Sequence, residues 1–526
     1  MSRALIKSGI VVSLMTLISR ILGLVRDVVV AQVLGAGGVA DVYFFANKIP
    51  NFLRRLFAEG AFAQAFIPVL NEVYHQDELQ ENNHQQSRIL IAQVSGTLGV
   101  IITLVTLFGM LASPVLVIIF GGGWFVDWLH GGADNGKFTL AALFLKITFP
   151  YLWFISFVAL SGAILNTLGR FAVSAFTPVL LNICIITMAI VGAKHFSNPG
   201  YALAWGVFLG GLVQFLFQLP FLYRAGMLVK PQWAWNAPGV VKIRRLIVPA
   251  LFGVSVTQIN LLVDTQIATF LVNGSVSWLY YADRLLEFPL GLFGIGIATV
   301  ILPSLSRSHA KQQGVEFSAT IDWGIKVISL FGWPALAGLM VLAQPIITIL
   351  FMRGEFNQQD VMHVSMALFA YLSGLISFMV IKILAPGYYA RQDTKTPVKI
   401  GIQAMIANMV MNLCLAPFLG YVGLALATTL SATFNAVWLY RGLKQQAVYQ
   451  ISGDTWFVII KLIVAAGLMA VIIAYLSPPL ANWLSMDLIH KIKQLLICIA
   501  AGMLSYILLV VLFGVRLHHF KVHVSD

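Results

Sequence analysis

The sequence predicts an all-α polytopic membrane protein of about fourteen transmembrane helices, two six-helix bundles in parallel pseudo-repeat plus two C-terminal helices. Three observations predict it. First, the 526 residues are 59% apolar and only 10% charged, with mean hydropathy +0.88, whereas a soluble domain carries about 25% charged residues. Second, apolar runs of roughly 20 residues, long enough to span a bilayer, recur along nearly the whole chain. Third, a long motif near the start recurs in the second half.

The apolar runs place spans at 8–33, 40–70, 89–118, 140–166, 173–193, 200–223, 246–272, 278–305, 322–351, 363–387, 397–417, 420–440, 455–477 and 491–514. The second is the least regular, with Pro50 and the Arg54-Arg55 pair inside it. The first resembles a signal peptide only in its opening Arg3 and Lys7. Arg20, Arg26 and Asp27 interrupt the apolar run, so it reads as a transmembrane helix. With the N-terminus cytoplasmic, eighteen loop Lys and Arg fall on the cytoplasmic side and five on the other. Positive charge is retained on the cytoplasmic side of membrane proteins, so both termini are expected there. The same rule accounts for much of the net charge of +13, which in a soluble chain would point to nucleic acid. No nucleic-acid partner is expected.

The repeat pairs Tyr43–Leu70, YFFANKIPNFLRRLFAEGAFAQAFIPVL, with Leu279–Leu305, LYYADRLLEFPLGLFGIGIATVILPSL. At a shift of 236 residues Ala46 meets Ala282, Lys48 meets Arg284, Phe52 meets Phe288 and Gly60 meets Gly296. Arg170 with Thr177-Pro178 likewise resembles Arg391 with Thr396-Pro397. The implied units are 1–230 and 231–448, each of six spans and of like orientation, leaving 449–526 as an extra helix pair. Bundles repeated in this way commonly enclose a cavity that opens alternately to each side.

Charges inside the spans carry the functional argument. A charged side chain at the bilayer centre costs roughly 2.5–3.5 kcal/mol on insertion scales, so it lines a wet cavity, pairs, or works. Arg20 and Asp27 are seven apart and share a helix face, while Arg26 is turned about 120° away. Asp27 can neutralise one arginine only. Asp41 and Lys48 are seven apart on the second span. Arg55 and Glu59 form an i, i+4 pair, leaving Arg54. Arg284 has Asp283 beside it and Glu287 one turn on, which allows either a cavity role or an ion pair. Several guanidinium groups facing one cavity suit an anion with several oxygens, because they bind phosphate bidentately. Asp264, isolated in the seventh span, and Asp393 in ARQDTKTP are candidates for a small-cation or proton site. Otherwise Asp264 is a buried acid bonded to Gln258 or Asn260.

Other features are bland. Lys146, Lys326, Lys382 and Lys461 are expected to snorkel from span ends. Cys184, Cys414 and Cys498 show no pairing pattern, and the histidines no metal spacing. The 231–241 segment, with Trp233 and Trp235, reads as an interfacial anchor between the halves.

The segments SRILGLVRD, ADVYFFANKIPNFLRRLFAEGAFAQAFIPVL, NGSVSWLYYADRLLEFP and APGYYARQDTKTPVK closely resemble the bacterial MurJ (MviN) family of lipid II flippases. That family lies within the multidrug/oligosaccharidyl-lipid/polysaccharide exporter superfamily. The resemblance runs over essentially the whole chain and is weakest after about residue 450. It implies a transporter rather than an enzyme, in the bacterial inner membrane. Its cargo would be lipid II, undecaprenyl-pyrophosphate-linked disaccharide pentapeptide, moved from the inner to the outer leaflet for peptidoglycan synthesis and cell shape. By resemblance, Arg20 and Arg26 fall on the family's first-helix arginines, Arg54 and Glu59 on charges at its second-helix break, and Arg284 on its seventh-to-eighth-helix arginine, so these four arginines are the expected pyrophosphate and cavity residues. Asp41 falls on the family's second-helix aspartate. The C-terminal helix pair forms a groove for the polyprenyl tail. Some members hold a sodium ion, a role open to Asp264. No cofactor is implied; Na⁺, H⁺ or the membrane potential would drive the step. Membrane lipids and the cell-wall synthesis machinery are the expected partners.

Three rivals make different demands. A drug or other lipid-linked oligosaccharide exporter of the same superfamily should tolerate loss of Arg20 and Arg26. A glycan polymerase needs a catalytic carboxylate on the outer side. Asp127, Asp134, Glu355 and Asp360 are present there, without a recognisable catalytic spacing. A non-transporting scaffold leaves the buried charges unexplained.

Overall fold

The computed structural model describes residues 3–55, 62–80, 84–132 and 136–520, with side chains not described at 3–11, 248–257, 295, 299 and 517–518. Among the described residues every regular element is helical. Helical contact divides the chain into one unit of Met1–Ser277 with Arg353–Phe356, and a second of Trp278–Met352 with Asn357–Asp526.

The first unit holds α1 (Arg3–Leu34), α2 (Gly38–Leu53), α3 (Phe62–Leu79), α4 (Gln85–Leu111), α5 (Ser113–Phe120), α6 (Gly122–Leu129), α7 (Gly136–Thr148), α8 (Tyr151–Thr167), α9 (Phe171–Ile190), α10 (Pro199–Arg224) and α11 (Pro238–Ala268). Its core joins Phe66 and Leu70 of α3, Leu90 of α4, Ile164 of α8, Leu222 of α10 and Ile243 of α11. Helix α11 therefore packs with the first unit, although the repeat boundary lies before it. Lipid tails are as apolar as leucine, so close packing rather than water exclusion must join the helices. The α9–α10 contact shows how: a Cβ on Gly206 would sit 3.1 Å from the Ile185 Cα, and one on Gly210 2.5 Å from Leu181. This small-xxx-small pair lets the two backbones approach.

The second unit holds α12 (Ser275–Pro289, its first turn counted with the first unit), α13 (Gly296–Ala310), α14 (Gly314–Leu350), α15 (Gln358–Leu372), α16 (Leu375–Tyr389), α17 (Lys395–Gln445), α18 (Gly453–Leu476), α19 (Leu480–Ser485) and α20 (Leu488–Leu512). Leu342 of α14, Leu462 and Met469 of α18, and Cys498 and Tyr506 of α20 form one core. The Tyr506 hydroxyl donates to the Leu330 carbonyl at 2.9 Å. Lys326, expected to snorkel, instead reaches Asp454 at 2.5 Å.

Among the described residues ten helices are long and apolar enough to cross a membrane. One of them, α17, carries two expected spans, because Gly420 (φ 56°, ψ −138°) breaks its helical path. The remaining expected spans at 8–33, 40–70 and 246–272 coincide with α1, with α2 and α3, and with α11.

One irregularity recurs. Helix α2 gives way to a π-helical turn at Arg54, and α12 to another over Leu290–Ile295. The two begin 236 residues apart, the shift that aligns the repeated motif. Extra residues of this kind often mark functional bends in helices.

Candidate functional site

The first unit builds a polar face on α1. Arg26 donates from Nε and Nη2 to Asp27 Oδ1 at 3.0 and 2.7 Å, and from Nη1 to Asn182 Oδ1 of α9 at 3.2 Å. The Asn182 amide in turn donates to the Ser19 carbonyl at 3.2 Å. Asn182 is buried and so fixes Arg26 from across the helix interface. A Cβ on Gly23 would lie 4.0 Å from Asn182 Nδ2, an ordinary contact distance.

Asp27 therefore pairs with its chain neighbour Arg26, not with Arg20 on its own helical face. An aspartate and arginine side by side can still meet when both side chains lean along the helix. Arg20 is exposed and, among the described residues, makes no side-chain hydrogen bond or ion pair. With Val12, Thr16, Ser19, Asn166, Ser174 and Pro178 it lines a groove of about 350 Å³ between α1 and α9. Ser174 donates to Asn166 Oδ1 at 2.6 Å inside it.

Asp41 is 2% exposed. Its Oδ1 accepts from the backbone N–H and hydroxyl of Ser277 at 2.8 and 2.7 Å, and its Oδ2 from the Gly274 N–H at 2.7 Å. Lys137 Nζ stands 3.7 Å away and 5.6 Å over the Trp124 ring. Asp41 thus clamps the start of α12. Lys48, about two turns on, donates to Thr265 Oγ1 of α11 at 2.8 Å. Arg54 Nε donates to Asn51 Oδ1 at 3.2 Å. Glu59 lies outside the described residues.

Arg284 takes the ion-pair alternative. Its Nη1 reaches Glu287 Oε2 at 2.8 Å, and its guanidinium lies 5.8 Å over the Tyr280 ring. Asp264 is half-buried in α11 of the first unit. Asp393 belongs to the second, where it caps α17 by accepting the Thr396 N–H at 3.0 Å. The Thr396 hydroxyl and N–H hold its carboxyl below the ordinary range. Among the described residues no three His, Cys, Asp or Glu side chains converge as a metal site.

Sequence reasoning missed Asn182 and Lys137. Neither stands out in a linear reading, since an asparagine amid apolar residues and a loop lysine are common. A different omission is the ladder in α17, where Asn412 Nδ2 donates to Asn408 Oδ1 at 2.9 Å, both fully buried.

Comparison with known proteins completes the picture. The family model described as lipid II flippase MurJ matches residues 30–493. The probable lipid II flippase MurJ of Vibrio cholerae is 59% identical over 520 residues, 99% of this chain and 98% of that protein. Its namesake from Haemophilus influenzae is 56% identical over 511 residues, 96% of this chain and 99% of that one. Among solved structures, a lipid II flippase MurJ in an inward closed conformation superposes with TM-score 0.79 at 26% identity, covering 96% of this chain and 98% of that chain. An inward-facing multidrug resistance MATE transporter shares the fold at TM-score 0.67 and 15% identity, over 84% of this chain and 98% of that chain. The relatives are transporters, not enzymes, and the chain belongs to the lipid II flippase MurJ family.

Proposed function

We propose that this chain moves lipid II from the inner to the outer leaflet of the bacterial inner membrane by alternating access, with its pyrophosphate held by arginines of α1. The observation that carries the reading is the contrast between Arg20 and Arg26. Arg26 is charge-neutralised by Asp27 but aimed by Asn182, so it offers directed donors with little net charge. Arg20 has no such partner and lines an open groove. Arg20 then supplies the positive charge and Arg26 the geometry. Arg54 and Arg284 join as the head moves, Arg284 exchanging Glu287 for phosphate. Asp27, Asp41, Lys48 and Glu59 are the charges that adjust as the cavity opens and closes.

The physics favours a protein path for the head alone. Each polar group of the sugar-peptide costs several kcal/mol unsatisfied in hydrocarbon, while the tail stays in lipid throughout. The exposed apolar side chains of α18 and α20, Leu468, Val471, Met503 and Ile507 among them, offer that tail a lipid-side groove. An inside-negative potential favours outward movement of anionic charge by roughly 2.3 kcal/mol per charge per 100 mV. We assign the driving force to that potential, with Asp264 as the acid for a coupled Na⁺ or H⁺. Both termini are cytoplasmic in this arrangement.

The test is native mass spectrometry of the full-length protein with lipid II, comparing wild type, Arg20→Ala and Arg26→Ala. Loss of selective binding in both variants, larger for Arg20→Ala, supports the reading. Wild-type binding in both would place the lipid elsewhere and remove it.

A further inference from the structure

The linker between α10 and α11 has a built form that transport of the head does not use. The Gln232 N–H donates to the Ala92 carbonyl of α4 at 2.8 Å, and the Ala234 N–H to Thr97 Oγ1 at 3.2 Å. The linker is thus strapped flat across α4; a Cβ on Gly96 would meet the Gln232 carbonyl at 2.2 Å. The strap leaves Trp233 and Trp235 outside and exposed, their rings stacked at 5.9 Å and 10°. The Arg244 guanidinium lies 4.1 Å over Trp235. Its Nη1 is buried and, among the described residues, has no hydrogen-bond partner.

Beside the tryptophans lies a pocket of about 550 Å³, lined by Asn236, Pro238, Val241, Lys242, Arg245 and Leu246. Between Lys230 and Leu246 the chain carries four basic residues and no acidic one. Glu72, half-exposed on α3, reaches Lys242 at 2.5 Å and leaves Arg245 to face the pocket. Arginine and lysine beside valine and leucine on one face of α11 make an amphipathic lining. A free anion would use only its basic residues.

We propose that this pocket seats the phosphate headgroup of an anionic glycerophospholipid, drawn from the leaflet on the side that loop charge assigns to the cytoplasm. Lys242 and Arg245 take the phosphate, Val241 and Leu246 the first carbons of the chains, and the Trp233–Trp235 pair sits at the interface. Indole rings favour that depth, where one edge is apolar and the N–H is wet. Basic residues close to an anionic leaflet are attracted to it, and two of them at one phosphate add. The site is separate from the α1 groove, and its occupant is a bulk lipid rather than the cargo.

Full-length protein is mixed with phosphatidylglycerol or phosphatidylcholine and followed by native mass spectrometry. Wild type should retain phosphatidylglycerol selectively. Lys242→Gln with Arg245→Gln should lower its relative affinity by roughly tenfold to thirtyfold. Lys311→Gln with Lys444→Gln removes the same charge elsewhere and should leave it unchanged. Tryptophan quenching by brominated phosphatidylglycerol should fall in Trp233→Phe with Trp235→Phe. Equal retention of the two lipids by wild type, or of phosphatidylglycerol by the pocket variant, would overturn the assignment. Displacement by millimolar inorganic phosphate would do so too, because it would mark a site for a free anion.

Discussion

Asp41 takes both the backbone N–H and the hydroxyl of Ser277, the residue 236 positions later. That interval is the shift of the internal repeat, so the aspartate bonds the residue standing at its own place in the second copy. One carboxylate satisfies the Gly274 and Ser277 N–H groups at the start of α12 and faces the buried Lys137 ammonium. Removing the carboxylate strands buried donors and a buried charge together. Asp41→Ala is expected to cost about 3–5 kcal/mol, the range for breaking a buried ion pair on one side. Ser277→Ala removes one hydroxyl and should cost about 1 kcal/mol. Thermal unfolding of the two variants in one detergent checks this order; equal losses would contradict the clamp.

The loop between α14 and α15 is fixed to the end of α1 by two glycines. Gly35 (φ +64°) would place a Cβ 2.6 Å from the Glu355 carbonyl oxygen, and Gly354 (φ +59°) one 2.2 Å from the Gln32 carbonyl oxygen. Between them the Glu355 N–H donates to Gln32 O at 3.0 Å. Alanine at either position meets both left-handed strain and a backbone collision, so the loss should exceed about 1 kcal/mol. Labelling of Glu355→Cys by a water-soluble thiol reagent should become faster in the Gly354→Ala background. An unchanged rate would show that the loop holds without the glycine.

Asp393 gives a pH-dependent signature of capping. The Thr396 hydroxyl and N–H depress its carboxyl pKa in the folded protein. A depressed acid contributes stability that is present above its unfolded value, about 3.9, and lost as pH falls through the lower folded value. Asp393→Ala should therefore be less stable than wild type at pH 7, with the gap closing only below about pH 4. A gap that closes near neutrality, or one that depends on Na⁺, would point to an ion site instead.

Much of this arrangement is legible in the sequence because the bilayer penalises exceptions. Apolar length marks α4, α10 and α20, and charge within an apolar run marks Arg20, Arg26 and Asp41. Partners are less legible. Whether Asp27 serves Arg20 or Arg26 depends on side-chain lean, not on helical phase. Arg284 allows a cavity role or a pair with Glu287 in sequence, and the local i, i+3 contact is the one it makes in this structure. Asp41 reads as a charge on the second span, and its partners Ser277 and Lys137 are both remote in sequence. Asn182 is a neutral residue whose importance comes wholly from what it touches.

That dependence makes Asn182 the discriminating substitution. Its Oδ1 accepts from Arg26 while its amide nitrogen donates to Ser19 O across the α1–α9 interface. Asn182→Asp keeps the acceptor but gives up the donor and adds a second carboxylate at Arg26. Asn182→Ala removes both links and leaves Arg26 held by Asp27. If Arg26 acts by geometry, Asn182→Ala should weaken lipid II binding by roughly tenfold, the equivalent of one charge-assisted hydrogen bond. Asn182→Asp should weaken it further, because the guanidinium is then doubly neutralised. Arg20→Ala should exceed Asn182→Ala, since it deletes the charge rather than its aim. These rankings are read from native mass spectrometry beside a thermal-unfolding control. Wild-type lipid binding in both Asn182 variants would show that Arg26 needs no help from α9.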